Sequence, residues 1–190
     1  MSRALEDYRR AWRRVESVAA SASRSAWERP SPCAEWTAHQ VAGHLIDGQR
    51  QVQALIEGAT RIVGQSDPAA LAELADGDPA AALHESARAV EVSLRNLSPE
   101  ASVSTARGLL RVEQVLAIAL IEPVIHAWDL AVATGQPETL DACMVATLLR
   151  GVEQVGNELV ATGMYAPALP VPQGATETER LLAALGRRSR

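Results

Sequence analysis

The stretch from Ala119 to Gly135, ALIEPVIHAWDLAVATG, restricts the fold more than any other part of this chain. Its apolar residues recur at helical spacing, yet Glu122 and His126 sit four residues apart within the same pattern. On a helix those two side chains leave one face about one turn apart. Val115, Ala119, Glu122, His126, Leu130 and Ala133 follow a single stripe, so the pair faces a core rather than solvent. A buried charge is costly unless it is paired or bound to a metal. Two explanations fit the residues alone: an ion pair, with Glu122 bonded to protonated His126 or to an arginine such as Arg111 or Arg150, or a metal site built between helices. His44 occupies the same kind of stripe position on an upstream helix and supplies a third candidate ligand. Two histidines and one carboxylate match catalytic metal sites that keep a position open. Pro123 lies between the two ligands, lacks an N–H and predicts a kink that frees the Ala119 carbonyl.

The surrounding chain reads as all-α. Aromatic residues make up 3% of the sequence and Phe is absent, so a core must be built from Ala, Leu and Val. Ala and Leu favour helices, and runs of β-branched residues are few. The spacing predicts a first amphipathic helix from Leu5 to about Trp27, with Leu5, Tyr8, Trp12, Val15 and Ala19 buried. Pro30 and Pro32 then hold an extended segment, with Cys33 expected as a small buried residue and Trp36 as an apolar anchor. Thr37 and Gln40 form a capping-box pattern that opens a second helix at Ala38–Glu57, with Val41, His44, Leu45, Gly48, Val52 and Leu55 inward. His39 is about 140° from that stripe and is expected in solvent.

Gly58–Gly77 reads as a long connection with a short helical turn at Ala69–Leu74, a length that in a bundle points to a crossover. Asp78–Pro79 caps a third helix with Leu83, Ala87, Val90, Leu94 and Leu97 inward and His84 beside the stripe. Ala101–Leu110 reads as a polar loop. The central helix runs from Arg111 to Thr134 and stops at Gly135, and a fifth covers Asp141–Thr162 with Gly163 as its stop. Pro167, Pro170 and Pro172 mark Met164–Gly174 as an extended strap. Thr176 and Glu179 cap a last short helix through Leu185, before a basic tail at Arg187–Arg190. The expected organisation is a helical bundle over 1–163, with a strap and short helix over 164–190 packed on it.

The net charge of −5 excludes a nucleic-acid partner as the default, because phosphate binding needs a positive surface. Cys33 and Cys143 are isolated and give no metal spacing or disulfide framework. The N-terminus is charged from Arg3 and lacks a signal-peptide pattern, and no run of about 18 consecutive apolar residues occurs. A cytoplasmic protein without a membrane partner is expected. The Ala/Leu faces suit either a monomer or a homodimer.

Several segments together resemble the DinB-like superfamily, in particular the group of mycothiol-dependent maleylpyruvate isomerase. They are Ser31-Pro32-Cys33-Ala34-Glu35-Trp36-Thr37, Gly43-His44-Leu45 and Glu122-x-x-x-His126-Ala127-Trp128-Asp129-Leu130-Ala131. The tail matches too, from Gly163-Met164-Tyr165 through Pro170-Val171-Pro172 to Arg180-Leu181-Leu182-Ala183-Ala184-Leu185-Gly186-Arg187. The resemblance implies a DinB-like four-helix bundle with a long crossover. It also implies a divalent metal on His44, Glu122 and His126, zinc first, with nickel or iron as alternatives. Its metal would activate a low-molecular-weight thiol such as mycothiol for attack on an electrophilic small-molecule substrate. The resemblance implies a further C-terminal domain in the isomerase, and a strap and short helix are expected in its place here. Trp128 is expected to pack, and Asp129 to support His126 from behind. Three functions follow: a metal-dependent thiol transferase or isomerase; an isomerase or cyclase using the bundle cavity with the metal as Lewis acid or absent; and a non-catalytic metal-binding or stress-related protein.

Overall fold

A computed structural model describes residues 2–33, 36–59, 63–95, 97–98, 100–106, 108–155 and 165–189. Helix α1 spans Arg3–Ser21 and buries the expected stripe together with Ala11 and Val18. It stops six residues short of the expected end. Ala22 and Ser23 are extended, a single 3-10 turn follows at Arg24–Ala26, and Trp27 is buried beyond it. Serine hydroxyls compete with helical hydrogen bonding, and the break has a use. It brings the Arg29 and Trp27 carbonyls to the free N–H groups of Ala38 and His39, both at 2.9 Å, at the start of the next helix.

Helix α2 (Ala38–Ile56) opens with the Thr37–Gln40 capping box, both halves formed. Helix α3 (Pro68–Leu74) and helix α4 (Pro79–Leu94) are each capped by an aspartate, Asp67 and Asp78, with proline in the first turn. The expected polar loop is instead an antiparallel hairpin, β1 (Ser102–Thr105) with β2 (Gly108–Arg111), in register Ser102 to Arg111. Val103 is its one buried residue in β1, too little alternation for a strand to be read from the sequence. The central helix divides into α5 (Val112–Ala119) and α6 (Ile121–Thr134) at Leu120. The division falls where Pro123 withdraws the N–H that would bond Ala119, and the backbone at Leu120 remains right-handed helical.

The long helices pack in the pairs α1–α4, α4–α2, α2–α6 and α6–α1, so four helices close a ring around one core. Helices α2 and α4 are neighbours. The long 57–78 connection is therefore not the crossover; it folds α3 back onto α2. The chain crosses the bundle instead at 22–37 and 95–111, each joining helices at opposite corners. Helix α7 (Ala142–Val155) and helix α8 (Glu177–Ala184) form a second layer. The remainder of the expected fifth helix, and the expected boundary at 163–164, lie outside the described residues.

Helix α6 is shared by both layers. Ala127, Leu130 and Ala131 face the bundle core. Val124, Ile125, Trp128 and Val132 pack against Met144, Leu148, Leu181, Leu182 and Leu185 of the second layer. A helix that is apolar all round is one buried all round. By length and composition Val112–Thr134 could cross a membrane, but 72% of its most apolar window is buried within this protein. Residues 166–172 of the strap form neither helix nor strand, and Leu169 donates its N–H to the Ala183 carbonyl at 2.8 Å.

Gly43, beside His44, has a packing role. A Cβ there would lie 1.8 Å from the carbonyl oxygen of Leu71 on α3. Helix propensity favours alanine over glycine by about 1 kcal/mol, but backbone cannot yield as a flexible side chain does. Gly43→Ala is therefore expected to destabilise by about 1–3 kcal/mol, the usual cost of overpacking. Chemical denaturation checks this: the midpoint should fall, and an unchanged or higher midpoint would contradict the close approach of α3.

Candidate functional site

Helix α6 and the capped α2 bring the three expected ligands together. Their candidate ligand atoms lie within 4.8 Å of one another. His44 Nε2 donates to Glu122 Oε2 at 2.8 Å, and His126 Nε2 lies 3.3 Å from the same oxygen. The two imidazoles meet edge to face, with centroids 4.9 Å apart. Arg111 and Arg150, the other partners considered for Glu122, bond Glu113 and Thr147 instead. The break at Leu120 before Pro123 does not separate Glu122 from His126.

Each of the three candidate ligands is held by further groups. Behind His126, Nδ1 donates to Asp129 Oδ2 at 2.9 Å, as expected for a residue three positions on. Asp129 is fully buried and receives Arg187, whose Nη2 and Nε lie 3.0 and 3.4 Å from its two oxygens. The hydroxyl of Tyr165, on the strap, donates to Glu122 Oε1 at 2.9 Å. The Trp36 ring lies against His44, with centroids 5.0 Å apart, so this residue contacts the site as well as anchoring α2. The Nδ1 of His44 is buried and has no partner among the described residues.

The electrostatics follow from this chain of contacts. Burial works against charge on His126, but bonds from Asp129 and Glu122 outweigh it and raise its pKa to about 9. Burial likewise works against the Glu122 carboxylate, yet His126 and His44 hold it well below the usual carboxylate range. Asp129 is lowered despite its burial, by His126 and then Arg187. Without a metal the cluster thus keeps a proton on His126 between two carboxylates. Cys33 also comes close, its sulfur lying within 4.8 Å of ligand atoms of His126 and Asp129. Burial pushes its thiol up to about 11, which leaves it protonated and unreactive at neutral pH.

The other histidines lie elsewhere. His84 is exposed and bonds Glu16 at 2.8 Å. His39, expected in solvent, is half-buried and its Nε2 meets the Ala75 carbonyl at 2.9 Å. Trp128 packs in the second-layer core. Arg187 is the main residue that the sequence concealed. A terminal Arg-Arg-Ser-Arg run reads as a solvated tail, yet Arg187 is only 5% exposed. Its one local signal is Gly186, which takes a left-handed φ of 77°. Bonds from Gly186 N–H to the Ala183 carbonyl and from Arg187 N–H to the Leu182 carbonyl complete a Schellman turn. That turn directs Arg187 inward rather than onward. Tyr165 was likewise visible only as part of the tail motif.

Two grooves, of about 290 and 380 Å³, open elsewhere on the bundle, and the triad lines neither of them.

Comparison with known proteins agrees with this architecture. The uncharacterized protein Rv0738 of Mycobacterium tuberculosis strain H37Rv is 28% identical over 162 residues, covering 83% of each chain. The uncharacterized protein MT0763 of strain CDC 1551 matches equally. Among solved structures, mycothiol-dependent maleylpyruvate isomerase superposes with a TM-score of 0.66 at 18% identity, over 82% of this chain and 70% of that one. A histidine-to-alanine variant of that enzyme gives 0.62 at 17% identity, with the same coverage. The family described as "Mycothiol maleylpyruvate isomerase N-terminal domain" matches residues 8–131, a span that contains His44, Glu122 and His126. That match, over residues 8–131, establishes that this DinB-like chain belongs to the mycothiol maleylpyruvate isomerase N-terminal domain family.

Proposed function

We propose that this protein is a divalent-metal-dependent enzyme of the mycothiol type, acting as an isomerase or transferase on an electrophilic small molecule. The observation that carries the reading is the convergence of the His44 and His126 Nε2 atoms on one oxygen of Glu122. The donor set fits a divalent metal. Two imidazole nitrogens and a carboxylate are a set that zinc accepts while keeping a position open, and nickel and iron take similar ligands. A bound divalent cation would hold a thiol as its thiolate at neutral pH.

The chain's own residues divide the remaining work. His44 and His126 would offer lone pairs once neutral, and Glu122 would balance charge. Asp129, by accepting from Nδ1, holds the His126 tautomer whose Nε2 faces Glu122. Tyr165 occupies the second Glu122 oxygen, leaving Oε2 for the side facing the histidines. Trp36 packs against the His44 ring, with centroids 5.0 Å apart. Cys33, held as a thiol by burial, is not the nucleophile in this reading. The nucleophile comes from the small thiol, and mycothiol is supported by family membership.

Two experiments test the reading. Protein purified without added metal and then dialysed against zinc should retain about one ion per chain by elemental analysis. His126→Ala should weaken binding by more than about 100-fold, beyond the 10–100-fold typical of losing a supporting partner. A folded chain that takes up neither zinc, nickel nor iron would defeat the metal reading. For the reaction, maleylpyruvate is the first substrate to offer, because the structurally similar isomerase acts on it. Turnover is expected only with both zinc and mycothiol present, and equal turnover in thiol-free buffer would remove the thiol from the mechanism.

A further inference from the structure

Asp129 and Arg187 form a pair buried more deeply than Glu122 itself. Asp129 is 0% exposed and Arg187 is 5% exposed. Such a pair adds little net stability, because desolvating two charges offsets most of their attraction. Stability alone therefore gives no reason to bury it, but its geometry does. Arg187 presents Nη2 and Nε to the two oxygens of Asp129, and its Nη1 donates to the Leu185 carbonyl at 2.8 Å. The guanidinium is thus fixed at both ends, and it fixes the plane of the carboxylate. That carboxylate makes the bond to His126 Nδ1.

Arg187 also belongs to a part of the chain separate from the ligands. It lies 58 residues from Asp129 and follows the last helix. Gly186 places it there, and the site for Gly186 is itself tight. A Cβ at Gly186 would lie 2.6 Å from Ala166 of the strap, next to Tyr165. Strap, α8 and Arg187 are therefore seated together, and two side chains from this segment reach the triad: Tyr165 at Glu122 and Arg187 through Asp129.

We propose that Arg187 is a positioning residue for the His44–Glu122–His126 centre: by holding Asp129 it orients His126, so seating of the C-terminal helix sets the affinity of the centre for metal. The affinity part rests on the metal reading above; the orientation part stands without it.

The test uses the full chain, with Arg187→Met, Asp129→Asn and the double variant, each titrated with zinc alone against a chromophoric chelator. Arg187→Met should weaken zinc binding by about 10–100-fold while the circular dichroism of the metal-free protein is unchanged. Because Arg187 acts through Asp129, the double variant should bind no more weakly than Asp129→Asn. Wild-type affinity in Arg187→Met overturns the proposal, and so does a double variant whose loss is the product of the two single losses. A second readout needs no metal. Nitrogen-15 NMR of the imidazoles should show a slowly exchanging Nδ1 proton on His126 in the wild type and rapid exchange in Arg187→Met. Should the wild type bind no metal, the metal reading falls and this proton decides the orientation claim, with retained protection in the variant overturning it. If Arg187→Met fails to fold, Arg187→Lys keeps the charge but loses the fork; a measurable loss of affinity supports the proposal and none overturns it.

Discussion

Everything at this site depends on partnering charge inside an apolar helix. Helix α6 takes Glu122, His126 and Asp129 into an interior of Leu, Val and Ala, where an isolated charge would be expelled or neutralised. The solution is an alternating series. His44 and Tyr165 meet Glu122, Glu122 and Asp129 flank His126, and Arg187 closes the far end. No member has to be buried alone, and the series runs from α2 across α6 to the end of α8. The four-helix ring and the second layer are both needed to supply its ends.

This dependence explains why α6 is the most buried helix rather than a surface one. Its two faces belong to different clusters, so its position is fixed from both sides. A rigid support of this kind suits a binding constellation, where small displacements of ligands matter more than net stability. The break at Leu120 shows the same economy of means. Pro123 ends one hydrogen-bonded segment and starts another, yet Glu122 and His126 remain one turn apart, with His126 Nε2 3.3 Å from Glu122 Oε2.

Much of this was legible in the sequence where the signal was local. Thr37–Gln40, Asp78–Pro79 and Thr176–Glu179 each place a helix start through chemistry within four residues, and each is formed. The stripes of α1 and α4 were readable from their period, and so was the inward position of Glu122 and His126. The triad's assembly required relating α2 to α6 over 78 residues, which periodicity cannot do; the motif resemblance supplied it. The failures were of two kinds. Weak local patterns hid short elements, as with the β1–β2 hairpin and the early end of α1. Tertiary partners hid the rest: His39 is drawn to Ala75, and Arg187 leaves a basic tail for a buried carboxylate. A charge in a tail is read as solvated unless its acceptor is known, and Asp129 is 58 residues away.

The two crossings of the bundle have a consequence for how the chain reaches this state. Helix α1 packs on α4 and α6, and sequence-adjacent α2 stands at the opposite corner. Ring closure around the first helix therefore depends on contacts of long sequence separation, which slow folding relative to an up-and-down bundle. During synthesis α1 emerges well before α4, which packs along it, and the ring stays open until α6 is made. Until α4 is made, much of the apolar stripe of α1, with Tyr8, Trp12 and Val15, lacks its packing partner, a stage at which partly folded chains are prone to aggregate.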